Sequence, residues 1–345
     1  MKSIKIIGLG IVMFLSQQIT AQEKENQNWS SNRPDGHAPI SVMADHYHGK
    51  GGWMFSYRLM NMNMESLLSG KDAISNTDAH DAGYMVTPLK MPMQMHMFGT
   101  MYAPSDRITL LAMASVVKND MDLQMRMASG MIVPFSTSSS GFGDIKLGMI
   151  YKFINKNKQS LHGNITFSLP TGSITETDVT PMSSPNEALL PYPMQIGSGT
   201  FDTNLGITYL GQKEQVSWGS QLTTTLRFGK NSDDYALGNK LSFNNWFAVK
   251  AKDWLSFSAR LEGKFVNKIR GTNSNLMPMM VTTADTDNSG GTYMNGGLGF
   301  NLLAPKGTFK DLRLGFEYTT PLYRKPNGIQ LKNKETITVG LQYAL

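Results

Sequence analysis

The chain reads as an all-β protein, a transmembrane antiparallel up-and-down β-barrel of about 12 strands with both termini periplasmic. Three observations predict it. Segments that alternate apolar and polar residues recur from Gly52 to the final Leu345. The connections between them are alternately short and long. The N-terminus carries a secretory leader, and no later run approaches the ~18 apolar residues of a helical span.

The leader comes first. Lys2 and Lys5 form a positive region, Ile6 to Leu15 an apolar core, and Thr20-Ala21 a small-residue cleavage site before Gln22. That is the pattern of a signal peptide, and its apolar run is too short to cross a membrane as a helix. No Cys follows Ala21, which argues against lipid attachment of the lipoprotein kind. The expected organisation is a signal peptide over 1–21, a periplasmic segment over 22–51 able to plug the barrel mouth, and an outer-membrane barrel over 52–345. The formal charge of +6 is mild, with no Lys/Arg block of the kind that binds nucleic acid. The absence of cysteine excludes a disulfide framework, and a barrel that closes its own edges needs none.

Spanning strands of about 9–11 residues are expected at 52–64, 91–102, 107–117, 144–154, 159–170, 200–210, 215–229, 238–250, 254–267, 291–303, 311–322 and 335–345. The segment 121–133 also alternates, so pattern alone leaves the count open. Connection length favours twelve. The stretches 103–106, 155–158, 211–214, 251–253 and 304–310 are short, and those between them are long if 121–133 belongs to an outer loop. Short periplasmic turns and long outer loops are the habit of bacterial barrels.

Alternation also assigns faces. Trp53, Phe55, Tyr57 and Leu59 are expected to meet lipid, with Ser56 and Arg58 inside. Leu255, Phe257, Leu261 and Phe265 oppose Arg260, Glu262 and Lys264, while Leu312, Leu314, Phe316 and Tyr318 oppose Arg313 and Glu317. The same reading puts Lys146, Lys152, Asp202, Arg227 and Lys240 inside. A cation on the lipid face near the midplane costs about 2–4 kcal/mol, which drives these groups inward. The expected lumen is polar and somewhat basic, either open or closed by internal ion pairs.

The last strand sets Ile337, Val339, Leu341, Tyr343 and Leu345 against Thr336, Thr338, Gly340, Gln342 and Ala344. In this it resembles the closing strand of outer-membrane barrels, which the insertion machinery reads. Tyr102-Ala-Pro-Ser-Asp-Arg-Ile-Thr-Leu110, Gly141-Phe-Gly-Asp-Ile-Lys-Leu-Gly148 with Tyr151, and Phe167-Ser-Leu-Pro-Thr-Gly172 resemble the proteins grouped as "MetA-pathway of phenol degradation". That group is loosely related to the fatty-acid and aromatic-hydrocarbon channels of the outer membrane, and residues 37–58 look like a subgroup often simply named transporter. The resemblance implies a Gram-negative outer-membrane protein that passes a hydrophobic or aromatic solute, with membrane lipid and the insertion machinery as partners. It carries over no binding or catalytic residue.

Methionine is the compositional anomaly. There are 25, and 17 of them lie between Met43 and Met149. Met60-Asn-Met-Asn-Met64 and Met91-Pro-Met-Gln-Met-His-Met97 place thioethers on one strand face at period 2. His37, His46, His48, His80 and His96 lie in or just before the same region. Thioether and imidazole suit Cu(I) and Ag(I), which makes Met60, Met62, Met64 and His96 candidate ligands for a soft-metal solute. The competing reading is apolar surface. It is expected for Met91, Met93, Met95, Met97 and Met101, with Gln94, His96 and Thr100 inside, whereas Met54, Met60, Met62 and Met64 share a face with Arg58. Met121, Met125, Met127 and Met131 fall in the outer loop, where they could fold in as a lid. His37 with Asp45, His46 and His48 could bind Zn or Cu(II) before the first strand.

Asp285-Thr-Asp-Asn-Ser-Gly290 lacks the later Glu of a calcium loop and reads as a solvated loop. His162 is the obvious base for a barrel hydrolase, but no Ser pairs with it and no Gly-x-Ser-x-Gly or phosphate loop occurs. The sequence therefore points to a non-enzymatic channel for passive passage of a small solute, or to a Cu/Ag-binding protein anchored by its barrel.

Overall fold

A computed structural model describes residues 28–345. The expected signal peptide and residues 22–27 lie outside them. Twelve strands form the wall: β1 (Trp53–Ser69), β2 (Val86–Tyr102), β3 (Ile108–Arg126), β4 (Lys146–Lys156), β5 (Gln159–Ser168), β6 (Asp202–Gln212), β7 (Val216–Arg227), β8 (Lys240–Lys252), β9 (Leu255–Val266), β10 (Gly291–Leu303), β11 (Leu312–Pro326) and β12 (Ile329–Ala344). Each is antiparallel to the next, and β12 returns to β1, with Met54 opposite Ala344. Closure satisfies the backbone amides that a hydrocarbon layer cannot. No helix among the described residues is long and apolar enough to cross a membrane.

The connections at one end span only a few residues, and the chain enters β1 and leaves β12 there: Leu345 N–H donates to the Trp53 carbonyl at 2.8 Å. At the other end four of the six connections are long loops and a fifth holds a hairpin. The segment 121–133 is not a thirteenth spanning strand. Its first part continues β3, and a further strand, Ile132–Phe142, folds back on Val116–Arg126. The expected loop 323–334 is absent. β11 and β12 run on to a two-residue turn at Asn327-Gly328, where Gly328 has a positive φ of 57°. β1 likewise extends past Met64 to Ser69, and β2 starts at Val86 instead of Met91, so the wall stands taller on this side than the alternation suggested.

The outer surface carries the apolar belt. Phe55, Phe98, Phe257, Leu261 and Leu298, on two separate parts of the wall, are 44–68% exposed, more apolar surface than a soluble monomer ordinarily presents. The inward alternates are polar and mostly buried, among them Arg58, Arg260, Arg313 and Glu317. Residues 29–51 lie against this inner face near the short turns. Ser41 N–H donates to Glu317 Oε2 at 3.0 Å, the Pro34 carbonyl accepts from Arg313 at 2.8 Å, and the Ala44 carbonyl meets His162 Nε2 at 3.0 Å. Gly315 and Gly340 face each other across β11 and β12 and leave a notch for Ile40; a Cβ at either would come within 2.9 Å of that side chain.

Candidate functional site in the lumen

Three regions follow one another along the lumen. Nearest the short turns is the inner segment, anchored by Trp29, Ala38 and Val42 against Leu210 and Trp246, and by Tyr47 against Met54, Met101, Leu111 and Ile150. It brings together three of the histidines singled out in the sequence. His46 Nδ1 and Asp45 Oδ1 are 2.9 Å apart, His37 Nδ1 lies 3.8 Å from Asp45 Oδ2, and the His46 and His48 rings are 5.0 Å apart centre to centre. Burial, with Arg313 and the neighbouring imidazoles, holds the His37 pKa well below its usual value. Burial pushes His48 down to about 3. Burial alone would raise the Asp45 carboxyl, but His46, His37 and Arg58 keep it below the usual carboxylate range. His37 and His48 are thus neutral imidazoles near one carboxylate.

Next comes a cavity of about 260 Å³ bounded by residues 41–46 and by wall residues that include Arg58, Lys146, Arg260 and Glu262. Arg260 is the cavity's paired cation, and a second ion pair stands on the neighbouring wall. Arg260 Nε donates to Glu317 Oε1 at 2.6 Å and its Nη1 to Asn244 at 2.8 Å, while Arg227 Nε sits 3.1 Å from Asp202. Arg58, Lys146, Arg227, Arg260, Glu262, Arg313 and Glu317 all lie on the inward face.

Methionine lines the β1 and β2 side of the lumen beside and beyond Arg58, and here the expected faces of β2 are reversed. Met54 pairs with Met101, Met60 with Met95, Met62 with Met93, Met64 with Met91, and Arg58 with Met97. Directly opposed residues share a face of a sheet, so the β2 methionines point inward beside Arg58. Gln94, His96 and Thr100 point outward, and His96 Nδ1 is 2.9 Å from the Tyr57 hydroxyl on the outer surface. β2 read alone offers two mixed rows, and only its register with β1 distinguishes them. His96 therefore lies apart from Met60, Met62 and Met64, and these in turn lie further along β1 than the His37 cluster. Met113 on β3 extends the strip, being opposite Gly99. Met60, Met62, Met93, Met95, Met97 and Met113 are all only partly buried.

The third region was not anticipated. Val86, Met91, Met121, Leu123 and Met125 from β2 and β3 pack with Leu190, Met194, Val281 and Ala284 from two long loops. They border an apolar chamber of about 250 Å³ that Phe135, Leu276 and Met280 help to line. Met121 and Met125 fold in, while Met127 and Met131 at the hairpin tip stay exposed. The apolar runs at 188–194 and 276–281, unusual in outer loops, were the available signal. Asp285 and Asp287 are engaged by Tyr84 and Lys268 at 2.6 and 2.7 Å, in keeping with a loop and not a calcium site.

A closed wall of 12 strands, apolar outside and polar within, defines the class: an outer-membrane β-barrel. No family model matches the chain, and no curated protein matches it by sequence. Its fold is similar to that of an outer-membrane channel from Pseudomonas putida F1, with a TM-score of 0.61 and 12% identity over 88% of this chain and 99% of that one. A FadL homologue of Pseudomonas aeruginosa aligns at TM-score 0.42 and 9% identity, covering 91% and 92% of the two chains. The toluene transporter TbuX of Ralstonia pickettii aligns at 0.43 and 10%, covering 92% and 99%.

Proposed function

We propose that the chain is a passive outer-membrane channel whose solute is a soft cation, Cu(I) or Ag(I), or a small complex of one. The observation that carries this is the inward strip of partly buried thioethers, Met60, Met62, Met93, Met95, Met97 and Met113, between the apolar chamber and the polar cavity. Thioethers bind soft d10 ions weakly enough singly, and often enough in a row, for an ion to be handed along. Both chain ends would face the periplasm, with the inner segment as a plug at that mouth. The reading assigns no reaction to the chain, since His162 is engaged with the Ala44 carbonyl, which ties it to holding that segment.

A second reading rests on the apolar chamber, whose Met, Leu and Val lining suits a hydrophobic or aromatic solute. A Leu quadruple variant at Met60, Met62, Met93 and Met95 separates the two. It keeps the surface apolar but removes the sulfur. Vesicles holding the refolded wild-type barrel should pass Ag(I), and the variant should lose at least tenfold of that flux. Equal Ag(I) flux in both with retained passage of an aromatic compound would select the second reading. A well-folded barrel silent in planar bilayers would overturn channel function, and Ag(I) retention without flux would leave a metal-binding protein anchored by its barrel.

A further inference from the structure

We propose that His37, Asp45 and His46 form a binding site for a divalent late first-row metal ion, with Cu(II) held most tightly. The site belongs to the docked N-terminal segment and stands whatever solute crosses the lumen.

Geometry supplies the first argument. One ligand atom from each of the three residues falls within 4.8 Å of the other two, an arrangement found for no other His/Asp/Glu trio among the described residues. Ligands around a tetrahedral zinc sit about 3.3–3.5 Å apart, given bonds of about 2.0–2.2 Å. The 3.8 Å between His37 Nδ1 and Asp45 Oδ2 therefore needs only a small side-chain adjustment. The three residues are also at most 9% exposed, so bulk solvent does not reach them.

The second argument is what the donors lack. His37 Nδ1, His46 Nε2 and His48 Nε2 are buried with no hydrogen-bond partner. A buried polar atom left unpaired is destabilising, and three imidazoles in one short segment are a concentration that calls for an occupant. An ion accepts those lone pairs directly. The His48 ring, 5.0 Å from that of His46, is the nearest further imidazole, and a cavity of about 50 Å³ lies against His37, His48 and Met54.

Asp45 completes the chemistry. Its Oδ1 lies 2.9 Å from His46 Nδ1, which keeps that ring beside the carboxylate within the cluster. Its Oδ2 accepts from Ala38 N–H at 3.0 Å, which closes residues 38–45 into a loop. Imidazole and carboxylate are harder donors than thioether, so this site and the methionine strip select different ions. Arg58 and Arg313 are the nearby cations acting on Asp45, and they oppose any ion held mainly by charge. That favours Cu(II), which imidazole nitrogen binds most strongly in the divalent series. A bound ion would join His37 to His46 and so stabilise the docked segment by mass action.

The test uses the full refolded barrel, stripped with chelator and then given one equivalent of Cu(II). Expected are retention after desalting and an electron paramagnetic resonance spectrum with at least two coupled nitrogens. His37→Gln and His46→Gln should each bind at least a hundredfold more weakly. His80→Gln, in the outer loops, should match the wild type, as should the Leu quadruple variant that removes lumen thioethers. No retention by the wild type, fewer than two nitrogens in its spectrum, or unchanged binding in His46→Gln would overturn the site. The wild-type spectrum decides the question even if a variant fails to fold.

Discussion

Glu317 is fully buried between a guanidinium and a backbone amide, with Arg260 on one carboxylate oxygen and Ser41 N–H on the other. Replacing it by Ala strands Arg260 in the interior, and losing one member of a buried pair costs about 3–5 kcal/mol. We expect Glu317→Ala to lower stability by that amount in a urea unfolding series of the refolded barrel, with Glu317→Gln intermediate. The inward direction of both residues was legible, because a charge on the lipid face is expensive and alternation leaves one other choice. Their pairing was not. They sit 57 positions apart on strands separated by β10, and alternation gives a face but no partner. His96 shows the opposite failure. Its row on β2 holds Gln94 and Thr100, so polarity argued for the lumen, and the neighbouring Arg58 decided otherwise through register.

The inner segment and the outer loops are the elements whose folding carries the proposals. Val at Gly340 would press on Ile40 and Arg58 from within the notch. We expect Gly340→Val to loosen the segment while the wall persists, seen as faster chymotryptic cleavage after the buried Tyr47 and larger single-channel conductance. The outer loops should respond to alkali. Burial raises the Tyr84 hydroxyl to about 12, helped by its bond to the Asp285 carboxylate, and burial does the same for Tyr235. The unfolded loops would ionise near pH 10 and the folded ones resist, so these tyrosines add stability below about pH 10 that fades toward 12. Proteolysis of the loops, followed with tyrosinate absorbance, should show protection lost across that interval; protection that is flat through pH 12 would contradict it. Long loops were readable from spacing, but the chamber was not, since its lining comes from separate loops brought together only by the wall. The segment at 121–133 was ambiguous for a related reason: an extended strand alternates whether it faces lipid or merely continues a hairpin.

At the scale of the molecule, one belt and one lumen govern where charge is tolerated. Leu261 lies beside the inward Arg260 but on the outer face, 44% exposed. Leu261→Arg should cost about 2–4 kcal/mol in vesicles if it lies near the midplane, whereas the native arginine one residue earlier is accommodated by Glu317. Equal unfolding midpoints for the two proteins would show that this face does not meet lipid. The strand count was recoverable because short and long connections alternate, a signal independent of any single strand. It misjudged height where β1, β2, β3, β11 and β12 outgrow the expected span. The seam between β1 and β12 has a further consequence. All other wall contacts join strands adjacent in sequence, so hairpins can form one after another as the polypeptide emerges. The seam alone joins Met54 to Ala344, almost the full contour of the chain. Until that meeting occurs, two rows of unsatisfied amides remain on offer to any passing strand, and contacts of such long range are slow to form. A product lacking its closing strand would therefore be an adhesive ribbon instead of a narrower pore, and the cylinder exists only once β12 has been delivered.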